Sequence, residues 1–245
     1  MKTKVFDNLN DLNKEFTVWL KKILAEKETI SIALSGGNTP KSLFRYLANN
    51  HAEDIDWSKI KFFWSDERCV WPDNEESNYK MAKDYLFDHV PVKKNNIFRI
   101  RGENDPYREA RSYQDLLLSE LESINGVPQF DVLMLGMGED GHTASIFPHE
   151  MNLWESSNLC VVGSHPETKQ MRVSLSGRTI NGAKNVAFLV TGAPKAKIIK
   201  EIIEDNEDAQ EKYPAAKVQP TSGSLTWFLD NYAGRELSSQ KNKEE

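Results

Sequence analysis

The chain has 245 residues with 39% hydrophobic content, which suits one sizeable α/β domain. Its formal charge of −6 argues against nucleic acid or an anionic membrane as the main partner, although an anionic small ligand needs only a local cluster of cations. Cys69 and Cys160 form no CxxC pair, and no apolar leader or membrane-length window is present, so a soluble cytoplasmic protein with free thiols is expected.

Leu9, Leu12, Phe16, Leu20, Ile23 and Leu24 recur at three- and four-residue steps. The spacing predicts an amphipathic helix from about Asn8 to Glu26. Ile30–Leu34 reads as a strand that empties into Ser35-Gly36-Gly37-Asn38-Thr39-Pro40. A helix through Leu43, Leu47 and Ala48 follows, with Thr39 as the expected N-cap and proline in the first turn. Glycines before a helix start leave backbone N–H groups free to hold a phosphate, and a plain βα turn is the alternative. The loop lacks the Gly-Lys-Ser/Thr ending of a Walker loop.

Ile60–Trp64 is the next strand, and it runs into Ser65-Asp66-Glu67-Arg68, a second strand end loaded with charge. Such a charge run is either a solvated turn or an active-site edge. Cys69 to Asn78 reads as irregular, Tyr79 to Phe87 as a helix, Ile97–Ile100 as a short strand and Pro106 to Ser123 as a helix. The apolar run Val132–Leu135 then leads into Gly136-Met137-Gly138-Glu139-Asp140-Gly141-His142. A buried strand opening into a glycine-rich loop with an acid and an imidazole has the form of an active-site edge, because ligands bind outside the carboxyl ends of strands in open α/β sheets. The alternative for Asp140 is helix capping.

Further on, Leu159–Val162 reads as a strand leading to His165, and Met171–Leu175 as an alternating strand before a short helix. Val186–Val190 is a buried strand ending in Thr191-Gly192-Ala193-Pro194-Lys195, ahead of a helix with Ile198, Ile199, Ile202 and Ile203. A polar, frayed tail is expected from Glu236 to Glu245, leaving 1–235 as a single domain. Alternating strands and helices predict a doubly wound, mostly parallel sheet with helices on both faces.

Four of these stretches, Ser35–Pro40, Ser65–Arg68, Gly136–Pro148 and His165–Leu175, occur in the order seen in 6-phosphogluconolactonases. The chain resembles that family from about Ile30 to Trp227. The resemblance implies a Rossmann-like sandwich of the kind shared with glucosamine-6-phosphate deaminases. It also implies hydrolysis of 6-phospho-D-glucono-1,5-lactone to 6-phosphogluconate in the oxidative pentose phosphate pathway, without a metal or organic cofactor. The deaminase is the close competitor. Its pattern carries a Glu five residues beyond the histidine, where this chain has Phe147, and an aromatic after Asp-Glu, where this chain has Arg68. A phenyl ring cannot relay a proton. A non-catalytic sugar-phosphate sensor is a third reading, and it would need no base.

Lactone hydrolysis is acyl transfer to water, and it needs a base at the attacking water and a grip on the distal phosphate. The resemblance makes His142 the base. Asp140 is expected to orient it, and Asp66 to sit near sugar hydroxyls or to hold Arg68. For the phosphate, the candidates are Gly36, Gly37, Asn38 and Thr39 with Arg68, Arg172 and Lys195. Arg172 lies between Met171 and Val173 in a strand pattern, an expensive place for an unpaired charge. Lys195 alone could equally be a solvated lysine. The expected partner is a small phosphorylated sugar lactone, with no nucleic acid, membrane or metal, and the chain is expected to be a monomer or weak homo-oligomer.

Overall fold

The computed structural model describes residues 1–241. In chain order the strands and longer helices are β1 (Lys2–Phe6), α1 (Leu9–Ala25), β2 (Ile30–Leu34), α2 (Asn38–His51), β3 (Ile60–Trp64), β4 (Asp66–Arg68), α3 (Asn78–Ala82) and α4 (Pro106–Glu120). They continue with β5 (Ser123–Ile124), β6 (Val127–Pro128), β7 (Val132–Leu135), β8 (Cys160–Ser164), β9 (Met171–Leu175), α5 (Gly177–Asn181) and β10 (Asn185–Val190). The last are α6 (Ala196–Glu204), α7 (Asn206–Lys212), β11 (Ser224–Asp230), α8 (Asn231–Gly234) and α9 (Ser238–Lys241).

Six strands form one sheet in the order β1-β11-β10-β7-β2-β3, with every pairing parallel and helices flanking it. Parallel sheets are covered on both faces, which is why β2, β7 and β10 read as nearly continuous apolar runs, with only Ser31 inside β2 and Asn185 at the start of β10 as exceptions. The two mid-sheet neighbours Phe188 and Trp227 sit opposite each other in register and stack at 3.9 Å, forming a rigid centre to the core.

The order of the strands decides where the ligand site lies. From β2 the chain moves outward to β3 on one side, and the next strand of this sheet, β7, returns to the other side of β2. That reversal leaves a crevice above the carboxyl ends of β2 and β7, the switch point of a doubly wound sheet. The loops after both strands are the two glycine-rich segments.

A second, three-stranded antiparallel sheet, β4-β9-β8, stands beside the first. The charged segment Asp66–Arg68 is therefore a strand and not a solvated turn, and β8 and β9 do not join the parallel sheet. Other expectations also change. Ile97–Ile100 makes only a single bridge, from Ile97 to Phe62. The helix expected to reach Ser123 stops at Glu120, because Ser123 and Ile124 turn back into a hairpin with Val127 and Pro128. Leu237 is buried and the Ser238 N–H donates to a Glu204 carboxylate oxygen at 2.7 Å, so the expected frayed tail starts inside the packed fold. Its positions 242–245 lie outside the described residues.

Candidate active site

The loop after β2 turns at Gly37, whose φ of +101° lies in a region open to glycine and strained for other residues. Gly37, and not Thr39, is the N-cap of α2, and no side chain caps that end. The first-turn N–H groups of α2 are therefore free to face an anion, and the helix dipole points its positive end the same way. Thr39 instead bonds side chain to side chain with Thr191 at 2.8 Å, which ties the β2 loop to the loop after β10. Lys195 comes from that second loop.

The loops after β2 and β7, the short strands β4 and β9, and Lys195 converge on one cleft. It is lined by Gly36, Gly37, Asn38, Thr39, Asp66, Arg68, His142, Arg172 and Lys195. Every residue expected at the site thus faces one crevice, except Asp140, which stands directly behind His142.

Arg68 and Arg172 occupy paired positions on the antiparallel strands β4 and β9. Like charges directly opposite on a sheet repel, so the pair costs stability in the free protein. Arg68 donates from Nη1 to the Glu76 carbonyl at 2.6 Å, yet the Nε of each arginine is buried with no hydrogen-bond partner. Burial and the adjacent Arg68 charge pull Arg172 below its ordinary value. Burial likewise pulls Lys195 below the ordinary lysine value, against the weaker opposing pull of Glu139 and Asp230. Buried guanidinium N–H groups without acceptors call for an anion with several acceptor oxygens.

His142 is held by its own loop. Its Nδ1 lies 2.6 Å from Asp140 Oδ1, and its backbone N–H donates to the same oxygen at 3.1 Å. A carboxylate only accepts, so the imidazole proton sits on Nδ1 and Nε2 is left as the acceptor. Burial pushes the Asp140 carboxyl up, but the hydrogen bond and charge of His142 outweigh it and hold Asp140 below its ordinary value. No helix starts at Asp140, so the capping alternative falls away. Gly138 is needed for this contact, since a Cβ there would stand 2.2 Å from His142 Nδ1. The other face of the ring rests against Phe147, with centroids 4.5 Å apart, and the Arg172 guanidinium lies over the same phenyl at 5.6 Å. His165 also edges onto Phe147, outside the cleft lining.

Asp66 is buried and accepts from Ser145 Oγ at 2.7 Å and Ser65 Oγ at 3.3 Å. It points into the cleft but makes no ion pair with Arg68 among the described residues, so of its two expected roles the one near substrate hydroxyls is the one its position suits. The sequence reading missed Ser145 and Asn78, both buried. Ser145 lies three residues after His142 in a stretch already singled out, and nothing in its type marks it as the support of an acid 79 positions away. Asn78 sits at a helix start, where asparagine ordinarily signals only a cap.

In chemical terms the cleft brings together three cations, an uncapped helix start, an oriented, acceptor-bearing imidazole and a buried carboxylate. Among the described residues no three His, Cys, Asp or Glu side chains converge as a metal site would require.

Residues 7–227 match the family described as glucosamine-6-phosphate isomerases/6-phosphogluconolactonase. The chain is similar to the 6-phosphogluconolactonase of Haemophilus influenzae, with 45% identity over 209 residues that span 85% of this chain and 88% of that protein. Among solved structures it is similar to the 6-phosphogluconolactonase from Trypanosoma brucei, with a TM-score of 0.86 and 31% identity, covering 97% of this chain and 98% of that one. A monomeric glucosamine-6-phosphate deaminase superposes with a TM-score of 0.81 at 22% identity over 96% of this chain and 99% of that one, a likeness of fold alone.

Proposed function

Because this chain belongs to the glucosamine-6-phosphate isomerase/6-phosphogluconolactonase family, we infer that it hydrolyses 6-phospho-D-glucono-1,5-lactone to 6-phospho-D-gluconate, a step of the oxidative pentose phosphate pathway. The observation that carries this reading is the meeting of unpaired cations with an Asp140-held imidazole in one crevice.

In this reading the 6-phosphate rests on the Gly36–Thr39 loop, with Arg68, Arg172 and Lys195 supplying charge. That places the lactone carbonyl toward His142. Nε2 takes a proton from water as its oxygen bonds to C1, and Asp140 stabilises the imidazolium that forms. Collapse of the tetrahedral intermediate breaks the bond from C1 to the ring oxygen, and the imidazolium returns its proton to that oxygen. Asp66 holds a sugar hydroxyl. No cofactor is required, and dialysis against a strong chelator is expected to leave turnover unchanged. Loss of activity restored by zinc or magnesium would overturn that point.

The deaminase reading is disfavoured by Phe147, which fills with an apolar ring the position where that pattern has a proton-carrying Glu, in contact with His142. The deciding experiment is an assay on freshly generated lactone, corrected for spontaneous hydrolysis, beside a glucosamine-6-phosphate deamination assay. Hydrolysis without deamination is the expected result, and the reverse would sink the reading. The same proposal treats the chain as one catalytic domain, extending past the expected limit at 235, that works in the cytoplasm as a monomer or weak homo-oligomer. No helix of the described residues is long and apolar enough to cross a membrane.

A further inference from the structure

We propose that Asn78 is a specificity-determining residue of this cleft, whose side-chain oxygen accepts a hydrogen bond from a ring hydroxyl of the lactone, and that Glu67 is the positioning residue that holds it there. The proposal rests on the lactonase reading above and deepens it.

Asn78 is buried and lines the cleft. Its Nδ2 donates to the Asp66 carbonyl at 2.9 Å. A carbonyl only accepts, so this bond fixes which way the amide faces and turns Oδ1 to the Gly36 wall. A Cβ on Gly36 would stand 1.9 Å from that oxygen. The glycine is therefore required by the approach of Asn78, because the amide is pinned at its other end and cannot swing away. Among the described residues no donor is bonded to Oδ1. An acceptor left open at the wall of a polar cleft suits a donor from the ligand.

The division of labour in the cleft points to which donor. The phosphate is acceptor-only and is matched by Arg68, Arg172, Lys195 and backbone N–H groups. Sugar hydroxyls present hydrogens and need acceptors. Asp66 and Asn78 supply acceptors side by side, linked through the Asp66 carbonyl.

Glu67 explains how Asn78 is held. Its carboxyl is buried and accepts from the N–H groups of Arg68, Asn78 and Tyr79 at 2.8, 2.7 and 2.8 Å and from Ser77 Oγ at 3.1 Å. These bonds lock the start of α3 against β4. Desolvation pushes the carboxyl up to about 7 even against those N–H donors, so an acid is kept here at a cost. A buried acid with no contact to the cleft has a reason to be there if it fixes a residue that does.

The test compares the full lactone with its 2-, 3- and 4-deoxy forms, each bearing the 6-phosphate. Wild type is expected to lose about 10–100-fold in kcat/KM on the one form that lacks the hydroxyl read by Asn78. Asn78→Leu, similar in shape but without an acceptor, is expected to lose a similar factor on the full lactone and no more on that deoxy form. An equal loss on every lactone, a retained wild-type kcat/KM, or a wild type indifferent to all three deletions overturns the proposal. If Asn78→Leu does not fold, Glu67→Gln carries the test: a rise in KM of about 3–10-fold with kcat within twofold, confined to lactones bearing the read hydroxyl, supports it, and a uniform loss overturns it. Failure of the lactonase reading itself is distinguishable, because wild type would then leave the unmodified lactone untouched.

Discussion

The two ends of the parallel sheet carry the same kinds of side chain in opposite circumstances. At the amino ends of the strands, Asp131 accepts from Lys27 at 2.5 Å, from Lys184 at 3.2 Å and from the Ser31 N–H at 3.0 Å. Lys61 pairs with Glu120 nearby at 2.9 Å. At the carboxyl ends, Arg68, Arg172 and Lys195 face a cleft without such pairing among the described residues. The direction of titration follows. The hydrogen bond that Lys27 donates to Asp131 raises Lys27, whereas burial lowers Arg172 and Lys195. Cations at the amino end are neutralised by the fold, and those at the carboxyl end are held against their preference until an anion arrives. That contrast separates a structural charge cluster from a binding site with no reference to residue type.

The largest effect is expected at the base. His142→Asn keeps the shape of the Asp140 contact but removes the acceptor at Nε2, so kcat should fall by about 10²–10⁴-fold. Inhibition by 6-phosphogluconate should be nearly unchanged, because the cations that hold its phosphate are intact. Steady-state kinetics with product inhibition measures both. Near wild-type turnover would transfer the role of base to Asp66 or Asp140.

Next comes the grip. Arg172→Ala should lower kcat/KM by about 1.5–3 kcal/mol, the loss of one charge-assisted contact, and weaken product inhibition in parallel. It should leave the melting temperature unchanged or raise it, because the variant removes one of two like charges paired across β4 and β9. A variant that is both less stable and normally active would place Arg172 among the structural cations and break the contrast.

Much of this was legible in the sequence, and the limits have physical causes. Strands buried on both faces announce themselves as apolar runs, so β2, β3, β7 and β10 were readable. The outer strand β1 opens with Lys-Thr-Lys, the charged chemistry that protects an edge, and so lacks the signal. β11 is the longest strand, at seven residues, but it mixes Ser224, Thr226 and Asp230 with its apolar side chains, and such a run is ambiguous between strand and helix. Most of the ten site residues stand in local patterns, strand ends loaded with glycine and charge; Arg172 stands out as a charge inside a strand pattern, and the family resemblance supplies the role of His142. What stayed hidden was long-range: Ser145 beneath Asp66, Asn78 against Gly36, and the cross-strand pairing of Arg68 with Arg172. Thr39 was misread as a cap because Ser/Thr before a proline is the usual signal, whereas here Gly37 takes that place and frees the helix end for a ligand.

The smallest effect tests the amino end of the sheet. Asp131→Asn removes the charge shared by Lys27 and Lys184 while keeping an acceptor for the Ser31 N–H. The two lysines are partly exposed, so solvent screens the loss, and destabilisation should be about 1–3 kcal/mol at pH 7. kcat/KM should not change, since no group in the cleft is touched. The pH dependence has a definite sign. Burial pushes the Asp131 carboxyl up, but hydrogen bonds from Lys27, the Ser31 N–H and Lys184 outweigh it and hold it below its ordinary value. A depressed acid contributes stability that is complete above its unfolded-state value and is lost as pH falls through the folded one. Urea unfolding of wild type and variant should therefore show a constant gap from pH 7 to about 4, near the ordinary aspartate value, closing only in more acid solution. A gap that closed between pH 7 and 5 would assign it to a different group, and a variant that lost activity at full stability would show that the two ends of the sheet are not independent.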